Sequence, residues 1–300
     1  MSTQVSRAGY IALAGLPNSG KSTLMNRLVG QKISIVTPKA QTTWQRITGI
    51  RTTDNEQGIF LDTPGLLLAK DLLQKGMLEE SLEAISEADV VVLILDATNF
   101  SSNKDKDQIK EVLSLSSAPV FAAINKIDIA NPRDITDIVG WIESELGVEA
   151  RGISALMDRG VEELWVDLAK HLPESPFLYP PEDVASLSVR FFVAEFVRET
   201  IFEQFQDEIP YAVFVSVEDF RENQDPVYIK ANVWVEKKSQ KRILVGNQGK
   251  AIRELGRLSR GKIEEFIDCS VYLDLWVKVL PNWRKKPLSL RRLGLRVPVL

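Results

Sequence analysis

The octapeptide at residues 15–22, GLPNSGKS, constrains the fold of this chain more than any other feature, because it fits the pattern G-x-x-x-x-G-K-[ST]. An apolar run at residues 10–14 precedes it, and residues 22–28 follow with apolar side chains at helical spacing. In such a strand, glycine turn and helix, backbone N–H groups and the positive end of the helix surround phosphate groups. The octapeptide therefore predicts a nucleoside triphosphate site in an α/β domain.

Two residues of the octapeptide are predicted to carry its charge chemistry. We expect Lys21 to pair with the β- and γ-phosphates, and we expect the Ser22 hydroxyl to ligate Mg²⁺. The predicted nucleotide contacts from this loop and the start of the helix are Gly15, Leu16, Pro17, Asn18, Ser19, Gly20, Lys21, Ser22 and Thr23.

Another apolar strand leads to Asp62, and the chain continues with Thr63, Pro64 and Gly65. We expect the Asp62 carboxylate to hold Mg²⁺ through water and the Gly65 N–H to contact the γ-phosphate. Thr63 and Pro64 complete this predicted nucleotide-binding segment. Residue 66 is a leucine, although many regulatory nucleoside triphosphatases with this kind of loop place a glutamine at that position to orient the attacking water.

The polar stretch at residues 40–44 contains two threonines, one of which is predicted to complete the Mg²⁺ shell. Thr43 is favoured, and Thr42 is the alternative. With Thr43 in this role, the residues predicted to act on the γ-phosphate are Lys21, Thr43 and Gly65.

A third segment predicts which base is bound. Asn125, Lys126 and Asp128 directly follow an apolar strand at residues 119–124. The Asp128 carboxylate can accept two hydrogen bonds from the N1–H and N2–H₂ edge of guanine, whereas adenine offers no matching pair of donors. We expect Asn125 to brace the pocket, the Lys126 stem to lie along the base, and Ser154 or Ala155 to offer a backbone N–H to the guanine O6. The predicted ligands are therefore GTP and GDP with Mg²⁺.

Length and composition suggest a globular chain of two domains, since it has 300 residues with 44% hydrophobic content. The single cysteine, Cys269, excludes an internal disulfide and favours a reducing compartment. No apolar run reaches membrane-spanning length and no cleavable signal pattern is present, so we expect a cytoplasmic protein. His171 is the single histidine, and a capping or surface role is favoured there over catalysis.

Strands alternate with amphipathic helices through residues 1–173, which predicts an α/β domain with a mostly parallel sheet. The proline-rich residues 174–186 are predicted to form a stiff linker. A smaller α+β domain is expected at 187–286, followed by a basic tail at 287–300. The predicted strands of the first domain are 10–14, 45–51, 57–61, 90–95, 120–124 and 150–153, with an antiparallel hairpin between the second and third.

The second domain is predicted to bind a polyanion. Residues 230–300 carry 17 basic and 6 acidic side chains, whereas residues 1–184 have a net charge of −9. The basic region surrounds a G-x-x-G turn at residues 246–249, which in a KH module clamps about four single-stranded nucleotides. The predicted elements are a helix at 188–205, strands at 211–220 and 227–236, helices at 250–258 and 260–267, and a strand at 270–279. The predicted RNA contacts are Gly246, Asn247, Gln248, Gly249, Lys250 and Arg253. Basic residues around the turn are Lys237, Lys238, Lys241, Arg242, Lys250, Arg253, Arg257, Arg260 and Lys262.

The motifs at 15–22, 41–43, 62–65 and 125–128 together resemble those of a translation-factor-type small GTPase domain. Nearly all of residues 7–286 are similar to the Era family, including the G-x-x-G turn and the ending at 271–284. This resemblance implies a P-loop GTPase domain with a mostly parallel sheet, followed by a smaller KH-type α+β domain.

The resemblance also implies what such a protein does. It implies a GTPase that binds the 3′ end of small-subunit ribosomal RNA and acts on the small ribosomal subunit precursor. A monomer in the cytoplasm, with peripheral contact to the inner membrane, is expected. A hydrophobic residue at Leu66, slow intrinsic hydrolysis and K⁺ near Asn18 are further implications.

Departures from the family pattern leave some alternatives open. Ser19 and Trp44 stand where valine and arginine are more usual. An RNA-binding chaperone that holds GTP with little turnover is the alternative to a nucleotide-switched factor. The apolar stretch at 65–69 is predicted either to pack on the second domain or to form a buried loop. For the tail, the alternatives are a basic disordered segment, an RNA or lipid contact, and a poorly constrained terminus, which is the default.

Overall fold

The computed structural model describes residues 6–37, 39, 42–66, 69, 71–100, 102–292 and 294–295. Four residues of the motif segments, Ala40, Gln41, Leu67 and Leu68, therefore lie outside the described residues, as does the end of the predicted tail from Arg296 onward. The chain divides into two compact units, one up to Ser186 and one over Leu187–Gly294.

The first unit is a six-stranded sheet flanked by helices. Its strand order is β2-β3-β1-β4-β5-β6, with β2 antiparallel to β3 and the other neighbours parallel. The strands are β1 Arg7–Ala14, β2 Ile47–Thr52, β3 Glu56–Asp62, β4 Val90–Asp96, β5 Val120–Asn125 and β6 Ala150–Gly152. The helices are α1 Lys21–Val29, α2 Leu72–Glu87, α3 Asn103–Leu113, α4 Pro132–Trp141 and α5 Val161–Ala169.

Sequence pattern explains these elements. β4 is apolar from Val90 to Leu95 and buried over that length, as expected for a central parallel strand covered on both faces. Helix α2 begins where the Asp71 side chain accepts a hydrogen bond from the Gln74 N–H, at 2.9 Å. Because β1, β3 and β5 are parallel, the segments that follow them meet at one edge of the sheet. The motif residues are placed at that edge.

The second unit packs helices on one face of a three-stranded sheet of order β7-β8-β9. β7 and β8 are antiparallel, whereas β8 and β9 are parallel. Its elements are α6 Val189–Gln204, β7 Phe214–Arg221, β8 Val227–Val235, α7 Lys238–Val245, α8 Lys250–Ile267 and β9 Val271–Val279. The α-β-β-α-α-β order agrees with the predicted order.

Two of the predicted helices in the second unit were wrong. The helices expected at 250–258 and 260–267 are one continuous helix, α8, in which Ser259 is fully buried. The other helix is α7, which precedes the G-x-x-G turn. Sequence periodicity missed α7 because Leu244 is the only apolar side chain that it buries.

The beginning of the predicted tail is helical. A short helix, α9, spans Pro287–Arg292, and Leu290 is fully buried. Among the described residues, no helix combines the length and the apolarity that a bilayer crossing requires.

Candidate nucleotide site and nucleic-acid surface

The loop between β1 and α1 needs its two flanking glycines. Gly15 has φ 155° and Gly20 has φ 100°, values that side-chain-bearing residues rarely adopt. A Cβ on Gly15 would lie 2.4 Å from the Ile94 carbonyl oxygen, and one on Gly20 would lie 2.1 Å from Asn125 Nδ2. The loop is therefore closely packed against β4 and the last residue of β5.

Lys21 is the first residue of α1, and its side chain reaches back into this loop. Its Nζ donates to the carbonyl oxygens of Gly15 at 3.2 Å and Leu16 at 2.9 Å, and the residue is buried. Burial lowers the pKa of Lys21 from its ordinary value of 10.5 to about 8, although the negative charge of Asp62 opposes that shift. A bound phosphate would supply the counter-charge that the buried ammonium group needs.

Oxygen atoms from three segments converge beside the loop. Ser22 Oγ donates to Asp62 Oδ2 at 2.6 Å and lies 3.3 Å from Thr43 Oγ1. Ser34 Oγ donates to the same Asp62 oxygen at 2.7 Å. Burial raises the pKa of Asp62, whereas the hydrogen bond from Ser22 and the charge of Lys21 oppose that shift. We call Ser22, Thr43 and Asp62 the metal cluster.

The metal cluster fits Mg²⁺ by its chemistry. Hydroxyl and carboxylate oxygens are the ligands that this ion takes, usually with waters and substrate phosphates. Asp62 Oδ1 is buried and has no hydrogen-bond partner among the described residues, so it is placed to accept from a metal-bound water. The described residues contain no group of three or more His, Cys, Asp or Glu side chains able to hold a metal. A metal at this cluster would therefore depend on the nucleotide for further ligands.

The segment after β3 is packed tightly against the phosphate loop. A Cβ on Gly65 would lie 2.7 Å from the Pro17 nitrogen, and the Leu66 N–H donates to the Gly15 carbonyl at 3.0 Å. Thr63 Oγ1 donates to the Leu13 carbonyl at 3.0 Å. The Leu66 side chain is fully buried in the core of the first unit, which agrees with the buried-loop alternative for this residue.

Asn125 joins the phosphate loop to the segment after β6. Its Nδ2 donates to the Ser19 carbonyl at 2.8 Å, and its Oδ1 accepts from the Ala155 N–H at 2.9 Å. These two hydrogen bonds connect the segments on either side of Asn125, and its predicted role toward the base stays a prediction. The Ser154 N–H donates to the Arg159 carbonyl at 3.0 Å, so both amides predicted to read guanine O6 already have partners within the chain.

Lys126 takes the left-handed backbone conformation at φ 67°, and its ammonium group pairs with Asp96 at 2.6 Å. This ion pair holds the Lys126 stem in place. Asp128 and Ser154 border the same cavity as the phosphate loop, whereas Ala155 is fully buried.

That cavity has a volume of about 420 Å³ and brings all the predicted segments together. This size falls within the range of small-ligand pockets. Sequence reasoning missed four apolar residues on its border, which are Ile35, Val36, Ile129 and Leu156. Ile129 and Leu156 are 71% and 65% exposed, and each directly follows a predicted site segment, so their position in the sequence was the signal that could have found them.

The G-x-x-G turn in the second unit has backbone conformations that favour glycine. Gly246 has φ 70° and Gly249 has φ 74°, and a Cβ on Gly246 would lie 2.7 Å from Ala251 Cβ. Gln248 also has a positive φ, of 51°, and its carbonyl accepts from Arg253 at 2.5 Å. Helix α8 starts directly after the turn, so its positive end faces the same side.

A groove of about 360 Å³ runs between α8 and β9. Its apolar border consists of Ile252, Leu273 and Leu275, and its basic border consists of Arg253, Arg257 and Arg260. Apolar surface next to exposed cations fits a single-stranded nucleic acid, because its unpaired bases can pack on the apolar surface and its phosphates are neutralised by the cations.

One basic residue does not belong to this surface. Lys262 donates to Glu199 at 2.8 Å and to Glu203 at 2.7 Å, so it is turned toward α6. The prediction that Lys262 belongs to the basic residues around the turn was therefore wrong. The other basic residues named around the turn are exposed.

A phosphate-loop domain and a basic G-x-x-G domain on one chain define the class, which is a P-loop GTPase with a C-terminal KH domain. Two family models agree: one described as 50S ribosome-binding GTPase matches residues 10–126, and one described as KH domain matches residues 208–284. GTPase Era of Halothermothrix orenii is 38% identical over 96% of this chain and 98% of its own length. GTPase Era of Carboxydothermus hydrogenoformans is 38% identical over 96% of this chain and 97% of its own. The chain therefore belongs to the Era family of GTPases.

Two solved structures agree with that assignment. Aquifex aeolicus Era, as a variant bound to GDP and AlF4⁻, aligns with a TM-score of 0.92 at 34% identity, over 96% of this chain and 99% of its own. Era in complex with MgGDPNP and nucleotides 1506–1542 of 16S ribosomal RNA aligns with the same TM-score at 35% identity, over 96% and 99%. The predicted family and fold class are confirmed.

Proposed function

We propose that this GTPase binds the single-stranded 3′ region of small-subunit ribosomal RNA and acts as a nucleotide-switched factor on the small ribosomal subunit precursor. The observation that carries the proposal is the groove between α8 and β9, with its G-x-x-G turn and exposed arginines. Its support from relatives is the solved Era complex with nucleotides 1506–1542 of 16S ribosomal RNA.

Binding of a labelled RNA of that 3′ region tests the RNA assignment. Arg253→Ala removes an exposed cation beside the G-x-x-G turn, so we expect affinity to fall and the salt dependence of binding to become shallower. Arg221→Ala is the matched control, because Arg221 is also exposed, lies in the same unit and pairs with Asp219 outside the groove. Equal loss in the two variants would contradict the assignment.

For the nucleotide site, the proposal assigns phosphate contacts to the loop at 15–22 and guanine reading to Asp128. Lys21 would neutralise the β- and γ-phosphates, and the Gly65 N–H would contact the γ-phosphate. Ser22, Thr43 and Asp62 would hold Mg²⁺, which offsets charge on the phosphate oxygens when bound. The buried Leu66 carries no group that can orient water, so intrinsic hydrolysis is expected to be slow.

The burial of Leu66 also favours the second candidate, an RNA-binding chaperone that holds GTP with little turnover. Single-turnover hydrolysis with and without the RNA 3′ region discriminates between the two. Turnover that the RNA accelerates supports a switch, whereas no turnover in either condition supports the chaperone.

Three narrower expectations belong to the same proposal. Asn18 has φ 65° and borders the nucleotide cavity, and we propose K⁺ beside it. Faster hydrolysis in K⁺ than in Na⁺, with the difference lost in Asn18→Ala, is the expected result, and equal rates would contradict it. A cytoplasmic monomer with peripheral contact to the inner membrane is tested by light scattering and by flotation with anionic vesicles.

A further inference from the structure

Ser34 lies outside the nucleotide cavity yet contacts the metal cluster. Ile35 and Val36 border the cavity, whereas Ser34 does not, and it is 3% exposed. Its hydroxyl donates to Asp62 Oδ2 at 2.7 Å. Ser34 thus contacts the Asp62 carboxylate without bordering the nucleotide cavity.

Asn26 on helix α1 fixes the backbone of Ser34. Asn26 Oδ1 accepts from the N–H groups of Ile33 at 3.0 Å and Ser34 at 2.9 Å, and Asn26 Nδ2 donates to the Ser34 carbonyl at 2.9 Å. Three hydrogen bonds from one side chain leave the segment little freedom at this point. Because α1 also carries Ser22, the same helix positions a metal-cluster hydroxyl and the group that holds Asp62.

Apolar burial reinforces this anchor. Ile33 and Ile35 on either side of Ser34 are 2% and 4% exposed. A Cβ on Gly49 of β2 would lie 2.7 Å from Ile33 Cδ1, so the segment is packed closely against the sheet. Ser34 therefore belongs to the rigid body of the first unit.

Ser22 and Ser34 donate to the same oxygen of Asp62, but they are not equivalent. Ser22 borders the cavity, so its oxygen would be shared between a metal and the hydrogen bond to Asp62. Ser34 does not border the cavity, and Asn26 holds its backbone. The hydrogen bond from Ser34 to Asp62 is therefore one that a metal at this cluster need not share.

We propose that Ser34, clamped by Asn26, is a positioning residue that holds the Asp62 carboxylate in the orientation that Mg²⁺ binding requires. The proposal rests on the metal cluster assigned under the proposed function. Groups that hydrogen-bond to the ligands of a metal commonly change its affinity by 10- to 100-fold when they are removed.

The test is the dissociation rate of a fluorescent GDP analogue, measured in the full chain over a series of free Mg²⁺ concentrations and in EDTA. Ser34→Ala is expected to raise the Mg²⁺ concentration for half-maximal retention about tenfold, with an unchanged rate in EDTA. Ser34→Cys keeps more of the volume but weakens the donor, so the same direction is expected. Thr53→Ala is the control, because it removes a hydroxyl–carboxylate hydrogen bond of 2.5 Å, to Glu56, in the same unit and is expected to behave like the unaltered chain.

Two results would overturn the inference, and they differ in what else they overturn. If the unaltered chain responds to Mg²⁺ and the Ser34 variants have the same midpoint, Ser34 does not position Asp62, while the metal cluster stands. If dissociation from the unaltered chain does not respond to Mg²⁺, the metal cluster itself is wrong. A faster rate in EDTA for the Ser34 variants would indicate general damage to the site and would also contradict a positioning role.

Discussion

Replacing Lys21 by methionine should stabilise the nucleotide-free first unit while removing nucleotide binding. Burial lowers the pKa of Lys21 from 10.5 to about 8, so the ammonium group opposes folding at neutral pH. At about 1.4 kcal/mol for each pH unit, that difference corresponds to about 3 kcal/mol. The lost hydrogen bonds to Gly15 and Leu16 offset part of it, so the expected gain for Lys21→Met is roughly 1–3 kcal/mol.

The pH dependence of stability follows from the same shift. Between pH 8 and pH 10.5 the unfolded chain keeps the Lys21 proton and the folded chain loses it, so this residue makes stability rise with pH over that window. Below pH 8 both states are protonated, and the slope from this residue vanishes. The slope is expected in the unaltered chain and should be missing from Lys21→Met.

Hydrogen exchange of β1 and β4 amides in urea, with and without nucleotide, measures both effects in the first unit. In the unaltered chain, GDP affinity should fall up to tenfold for each pH unit well above 8, because the proposed phosphate contact requires the protonated amine of Lys21. A nucleotide-free Lys21→Met protein that is less stable than the unaltered chain would refute the reasoning, because burial of the charge would then carry no cost.

Three further substitutions test other parts of the structure. Gly20→Ala places a Cβ 2.1 Å from Asn125 Nδ2, so it should displace the Asn125 side chain, which joins Ser19 to Ala155. GDP affinity measured by calorimetry should fall at least tenfold. Unchanged affinity would contradict the close packing of Gly20 against Asn125. Asp128→Asn removes the proposed double acceptor for the guanine edge, so GTP affinity should fall while affinity for xanthosine triphosphate, which lacks the N2 amine, rises. Equal losses of affinity for both nucleotides would contradict the proposed role of Asp128. Leu244→Ala removes a fully buried side chain of α7 and should destabilise the second unit by about 2–4 kcal/mol in urea; a loss below 1 kcal/mol would indicate that α7 is not packed.

The nucleotide site was predictable because parallel strands present their carboxyl ends at one edge. Gly15 directly follows β1, whereas Asp62 and Asn125 are the last residues of β3 and β5, so sheet topology alone brings them together. Their predicted roles toward the nucleotide stay predictions. The fold class followed from the same alternation of strands and helices.

The remainder depends on single contacts between distant residues, which periodicity does not encode. Ser34 reaches Asp62 through one hydrogen bond across 28 positions of sequence, and its isoleucine neighbours at 33 and 35 give no sign of that contact. Lys262 was misplaced because its partner Glu199 lies 63 positions away, on another helix. Helix α7 was missed since it buries too few apolar side chains to produce a helical period.

The proposed function requires that the nucleotide bound in the first unit controls the affinity of the second unit for RNA. The direct measurement is the affinity of the full chain for the 3′ region of small-subunit ribosomal RNA, with a non-hydrolysable GTP analogue or GDP bound, at one salt concentration. A switch predicts affinities that differ by about fivefold or more. Equal affinities in the two nucleotide states would contradict it.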